Sequence, residues 1–181
     1  MKTKILLLFS FICILACKSP EPRKPVVKNS GSFIRESVNR NKKLIEKEEN
    51  QILSIIEKDT AQTYHASSNG FWYTYHKKNN QDTLQAHFGD EVIFEYNIST
   101  LDGTPIYTTK EIGTRSYVID KENVFNGLRQ GLKLMKEGET ATFLFPSYNA
   151  FGYYGDNNRI GTNVPIKTTI TLKDIKPQHI N

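Results

Sequence analysis

The stretch "VFNGLRQGLKLMKEGETATFLFPSYNAFGYYG" (124–155) holds three textures in one run. Residues 123–135 place Val124, Leu128, Leu132 and Met135 at spacings of four, four and three, the repeat of one short amphipathic helix. Glu137-Gly138-Glu139 then marks a turn. "TATFLFP" (140–146) alternates in the manner of a strand, which Pro146 ends. The residues after Pro146 have the Gly and Asn/Asp content of a surface loop, yet Phe143, Phe145, Tyr148, Phe151, Tyr153 and Tyr154 put six aromatic rings between 143 and 158. A loop with so many rings needs a use for them.

Outside this stretch the texture is mostly β. "GFWYTYH" (70–76), "EVIFEYNIST" (91–100), "RSYVID" (115–120) and "KTTITLKDI" (167–175) are rich in aromatic and β-branched residues. Turn signals separate them at Lys78-Asn79-Asn80, Phe88-Gly89-Asp90 and Leu101-Asp102-Gly103. One short helix in a strand-rich region predicts an α+β fold. A twisted antiparallel sheet wraps half around the helix, because neither could bury its apolar face alone. Upstream, Ile34, Val38, Ile45, Ile52, Ile55 and Ile56 recur at helical spacings and predict an N-terminal helix over 33–59, capped by Ser32 with Glu36 in its first turn. Asn41 and Glu48 fall on the stripe and thin it. Two readings are open, a dimerisation or partner-docking helix and a helix lying on its own domain, and the second is preferred. Residues 60–87 form a leading strand region.

The N-terminus addresses location. Lys2 and Lys4 precede an apolar run, Ile5 to Ala16, of signal-peptide length and too short for a membrane span of about 20 residues. Ala16-Cys17 followed by polar residues resembles a bacterial lipobox, which predicts a leader over 1–16 and lipid on Cys17. An ordinary signal peptide with a Cys near the cut is the alternative. Lipid chains anchor without spanning, at about 0.8 kcal/mol per buried CH₂. Lys18 is not the Asp associated with inner-membrane retention, which favours the outer membrane, periplasmic side. Residues 17–32, rich in Pro, Lys and Ser, read as a disordered tether. Loss of the leader takes Cys13, so no disulfide is expected. It also lowers the net charge from +5 to +3, with the basic residues concentrated in 18–47. That argues against a nucleic-acid partner.

Several chemistries find no support. No Gly-rich phosphate loop follows a strand, and no Ser sits in a Gly-x-Ser-x-Gly turn. His65, His76, His87 and His179 are scattered, without metal-ligand spacing. No metal or cofactor is expected. An enzyme of this composition needs chemistry that uses neither nucleophile nor bound group.

"FGDEVIFEY" (88–96), "LDGTPIYTT" (101–109), the opening stretch, and "VPIKTTITLKDI" (164–175) follow one another with the spacing of an FKBP-type peptidyl-prolyl isomerase domain. The resemblance covers 88–176 and leaves 177–181 as a tail. It implies the FKBP-like fold and isomerisation of X–Pro bonds in exported client proteins. The alternative is a low-activity or inactive module that grips proline-containing or unfolded segments. With the lipobox, the tether and "SNGFWYTY", the resemblance narrows to lipid-anchored isomerases associated with gliding motility. It implies a catalytic set of Tyr96, Tyr107, Val124, Phe125, Leu128 and Phe151. Ile106, Tyr117, Asp156 and Leu172 are implied as substrate-binding, Leu172 because alternation points it inward. Two positions depart from the family pattern: Tyr107 replaces a pocket Asp, and Phe151 replaces a Tyr whose hydroxyl bonds a ligand carbonyl. Leu128 for Trp leaves the floor apolar.

Overall fold

The computed structural model describes residues 30–81 and 83–178. The leader, Cys17 and nearly all of the expected tether lie outside the described residues. Residues 38–178 belong to one compact unit, and the first turns of the N-terminal helix to another.

A long strand, β8 (Ile166–Lys176), runs through the middle of the sheet. On one side it pairs with β7 (Thr140–Phe145), and β7 with β2 (Trp72–Lys77), which carries the two-residue β1 (His65–Ala66). On the other side it pairs with β3 (Glu91–Tyr96), which carries β6 (Arg115–Val118) at the edge. After Asn97 the chain of β3 continues as β4 (Ile98–Ser99), which pairs with both β8 and β5 (Pro105–Tyr107). Every pairing is antiparallel. The strand segments expected from alternation are present. The short β1, β5 and a one-turn helix, Thr109–Ile112, carry too few residues for a period to show.

Alternation along β8 puts Ile166, Thr168, Ile170 and Leu172 on one buried face. A register shift opposite Ile93/Phe94 then changes the phase, so that Ile175 is the next buried residue. On this face lies the central helix, Asn126–Leu134. It is shorter than the expected 123–135: Phe125 occupies its N-cap and Met135 its C-cap, both in extended backbone. Leu128, Leu132 and Met135 are buried with Phe143 and Phe145, whose rings stack at 5.6 Å.

The helix comes close because it shows the sheet two glycines. A Cβ on Gly127 would stand 2.5 Å from the Phe145 ring and 2.7 Å from the Asn149 carbonyl oxygen. At Gly131 the nearest atom, on the Phe143 ring, would be 3.1 Å away.

The N-terminal helix, α1, spans Ser30–Lys58. It starts ahead of the expected position, so Ser32 lies inside it and not at its cap, and Glu36 falls beyond its first turn. Its Glu48 and Ile52 are buried, while Val38 is exposed. The two Glu48 carboxylate oxygens accept hydrogen bonds from the Ser147 N–H (2.7 Å) and hydroxyl (2.8 Å). The polar residue that thins the apolar stripe is the one that docks it. Among the described residues no helix is long and apolar enough to cross a membrane.

Gly127→Ala tests the helix–sheet approach. In an open helix this change stabilises by about 1 kcal/mol. Here overpacking outweighs that gain, and urea unfolding is expected to show a net loss of about 2 kcal/mol. Gly131→Ala is expected to cost clearly less. A Gly127→Ala protein as stable as wild type contradicts the close approach.

Candidate functional site

The central helix starts where the site starts. Phe125 caps it without a side-chain hydrogen bond. Its own N–H has no partner among the described residues, as expected for the first turn of a helix. Val124 and Phe125 are half-buried against the core. The Phe125 ring lies 5.0 Å from that of Phe151 and 5.7 Å from that of Phe145 beneath.

Phe151 is brought there by a turn. After Pro146 the chain makes a 3₁₀ turn, Ser147–Asn149. The Ser147 carbonyl accepts N–H bonds from both Ala150 (3.0 Å) and Gly152 (2.9 Å), the two neighbours of Phe151. Asn149, 2% exposed, donates through Nδ2 to the carbonyls of Asn69 and Gly70, both at 2.9 Å. Its Oδ1 accepts from Asn126 Nδ2 at 2.9 Å, joining the loop to the residue after Phe125.

Opposite, β5 supplies Ile106 and Tyr107, both half-buried on the core. Tyr96 closes β3, half-buried, its ring 5.5 Å from that of Phe94. Burial pushes its hydroxyl pKa up, with Arg115 opposing. Beneath these rings Leu128, Tyr117 and Leu172 are all at most 2% exposed. They form a floor layer and not walls. The Tyr117 hydroxyl is turned inward, where it accepts the Asp120 N–H at 3.2 Å.

The polar groups at the mouth bond to one another. Tyr107 Oη donates to Asp156 Oδ2 at 2.5 Å and accepts from Asn158 Nδ2 at 3.0 Å. Asp156 Oδ1 accepts the N–H groups of Asn158 (2.9 Å) and Ile160 (2.8 Å). Arg159 lies 4.8 Å over the Tyr107 ring and donates to the Ile106 carbonyl and to Glu111, both at 2.8 Å. Tyr107 is therefore raised above its usual range by its bond to Asp156 first, with desolvation adding. For Asp156 desolvation is the largest influence and acts upward. The bonds from Tyr107 and from the N–H groups of Ile160, Asn158 and Arg159 outweigh it and hold the carboxyl low. The N–H of Thr108, then Arg159, hold Glu111 down at about 2. Thus Asp156 and Tyr107, read from sequence as site groups, spend their polar atoms on fixing the loop.

Of the sequence-derived residues, Tyr96, Ile106, Tyr107, Val124, Phe125 and Phe151 are partly buried against the core, and Tyr117, Leu128 and Leu172 lie within it. The rings of Phe125 and Phe151 are brought together, as are Tyr107 and Asp156. Reading the sequence missed Arg159, Ser147, Asn149 and Asn126. The Asp156–Asn158 bond is an Asx turn that "GDNN" announces. Arg159 and the Ser147 carbonyl have no local signal of their roles. The site rings offer no nucleophile–base pair. What they offer is a partly buried apolar surface beside a helix start whose first N–H groups, that of Phe125 among them, have no backbone partner among the described residues.

Acid should release the mouth. Asp156 and Glu111 have depressed folded values, so their contribution is present above the unfolded carboxyl range of about 4 and lost as pH falls through the folded values. Amide protection factors over 156–160, corrected for intrinsic exchange, are expected to be flat near neutrality and to fall from about pH 4 downward. In Asp156→Asn they should be low throughout. Protection that is unchanged at about pH 2.5 rules out carboxylates as the clasp.

The family model for FKBP-type peptidyl-prolyl cis-trans isomerase matches residues 82–173, about half of the chain. The chain is 27% identical over 113 residues to the peptidyl-prolyl cis-trans isomerase FKBP9 of Homo sapiens, and equally so to that of Mus musculus. The match takes in 62% of this chain and 20% of each relative, so the chain spans about a fifth of the curated relatives it matches. Among solved structures, FkpA from Escherichia coli superposes with a TM-score of 0.59 at 22% identity, over 96% of this chain and 82% of that one. A peptidyl-prolyl cis-trans isomerase from Pseudomonas syringae pv. tomato gives 0.60 at 18%, over 75% and 96%. At these identities the superpositions establish the fold.

Proposed function

The chain belongs to the FKBP-type peptidyl-prolyl cis-trans isomerase family, and on that premise we propose that it catalyses rotation about X–Pro bonds of exported proteins. The observation that carries this reading is the pair of partly exposed rings of Phe125 and Phe151, 5.0 Å apart on a buried apolar core, at a helix start whose Phe125 N–H has no partner among the described residues. The barrier to rotation, about 20 kcal/mol, comes from amide resonance. A twisted amide is less polar than a planar one. A surface that sheds water therefore disfavours the planar ground state relative to the transition state. The free N–H at the start of the helix holds a substrate carbonyl in place, and no proton need move.

The activity is expected to be low. Phe151 brings no hydroxyl, and the Tyr107 hydroxyl donates its hydrogen bond to Asp156. The same facts favour a second reading, a module that grips proline-containing or unfolded segments without turning them over. Phe151→Tyr separates the two. One recovered hydrogen bond of about 0.5–1.5 kcal/mol raises kcat/KM by up to about tenfold in an enzyme. A protease-coupled assay of proline isomerisation checks this beside Phe125→Ala, for which a loss of at least about tenfold is expected. Wild-type turnover equal to buffer, with client binding still abolished by Phe125→Ala, leaves the gripping module.

We further propose that the protein works at the cell envelope, lipid-anchored at Cys17 in the outer membrane and facing the periplasm, on clients of the envelope and of gliding machinery. The charged and apolar leader ending in Ala16-Cys17 and the polar residues after it support this. Labelled palmitate should enter the wild-type chain in a bacterial host, and Cys17→Ser should abolish its incorporation. Undiminished labelling in Cys17→Ser sinks the anchor.

A further inference from the structure

Helix α1 lies outside the segment that the family model matches, yet its buried Glu48 reaches the loop that carries Phe151. Ser147 offers two donors, its N–H and its hydroxyl, and Glu48 meets them with its two carboxylate oxygens at 2.7 and 2.8 Å. A carboxylate accepts twice without donating, which an amide of the same length does not. Glu48 is 2% exposed and both of these donors are neutral, a costly way to bury a charged group. A docking helix needs only apolar contacts. The carboxylate therefore asks for a second reason.

The bonds beyond Ser147 supply it. The Ser147 carbonyl holds the N–H groups on both sides of Phe151. Two residues on, Asn149 is bonded to Asn126, which follows Phe125 and in turn accepts from Arg129 Nη2 at 2.8 Å. Both rings of the Phe125–Phe151 pair, 5.0 Å apart, thus hang from one three-residue turn, and Glu48 is the clamp on that turn.

We infer that Glu48 is a positioning residue for the prolyl pocket, acting through Ser147 and Asn149 on Phe151 and Phe125, and that α1 is part of the site. The activity side of this inference rests on the isomerase reading. Its structural side does not.

The test uses the full-length chain. Glu48→Gln keeps the size and removes one acceptor. It is expected to lower kcat/KM on a chromogenic X–Pro peptide about tenfold, and to lower amide protection at Ala150 and Gly152 by a similar factor. Ser147→Ala, which deletes one donor and leaves the backbone intact, should move both readouts the same way by less, and it serves if Glu48→Gln does not fold. Ile175→Ala, a core cavity away from the turn, is the stability control. It should lower the thermal midpoint while leaving kcat/KM within about twofold and the two amides protected. Activity that falls in proportion to the thermal midpoint across all three variants overturns the inference, as does unchanged amide protection in Glu48→Gln. A wild-type chain without turnover removes the isomerase reading alone, and the amide protection still decides the role of Glu48.

Discussion

A nine-residue helix can lie against the rings of a sheet this closely only if it turns no Cβ toward those rings. Gly127 and Gly131 meet that condition against Phe145 and Phe143. The consequences spread outward. Because the helix lies so low, Leu128 and Leu132 are buried in one core with Ile166, Ile170 and Leu172 of β8. The start of the helix, where Phe125 sits with a free N–H, comes up to the level of the loop after β7. Asn126 can then bond Asn149, and Phe125 can meet Phe151. A larger residue at Gly127 would lift the helix off the Asn149 carbonyl and part the walls of the site as well as the core.

The fold was legible because its elements announce themselves locally. The strand runs alternate, the central helix repeats at three and four, and Pro146 stops β7. What stayed hidden is short or distant. β5 has three residues, and its place beside β4 depends on a turn rather than a period. The clasp of Tyr107, Asp156 and Arg159 joins segments far apart in the chain, beyond the reach of any local pattern. Leu172 follows from alternation, and the register shift comes after it, so the phase error that alternation invites does not reach it.

Glu48 shows a different limit. On a helical wheel a charge amid apolar residues reads as a weakness of the stripe. In three dimensions it is the position where the helix meets the two donors of Ser147. Periodicity reports which face is buried, and it carries no information on whether the surface opposite is hydrocarbon or backbone. Buried polar residues on an otherwise apolar face are therefore where sequence reasoning stops and where a structure adds most.

Apolar rings such as those of Phe125 and Phe151 act on whatever lies against them only through their placement. Desolvation acts over contact distances, so a ring displaced by about an ångström admits water and removes the effect. The precision must come from groups that do not touch substrate. In this chain the buried ones are the Ser147 carbonyl bracketing Phe151 and Asn149 tied to Asn126, while Arg159 joins Ile106 to Glu111 at the surface. The frame that positions the rings of Phe125 and Phe151 therefore does not depend on the side-chain polar atoms at positions 107 and 151.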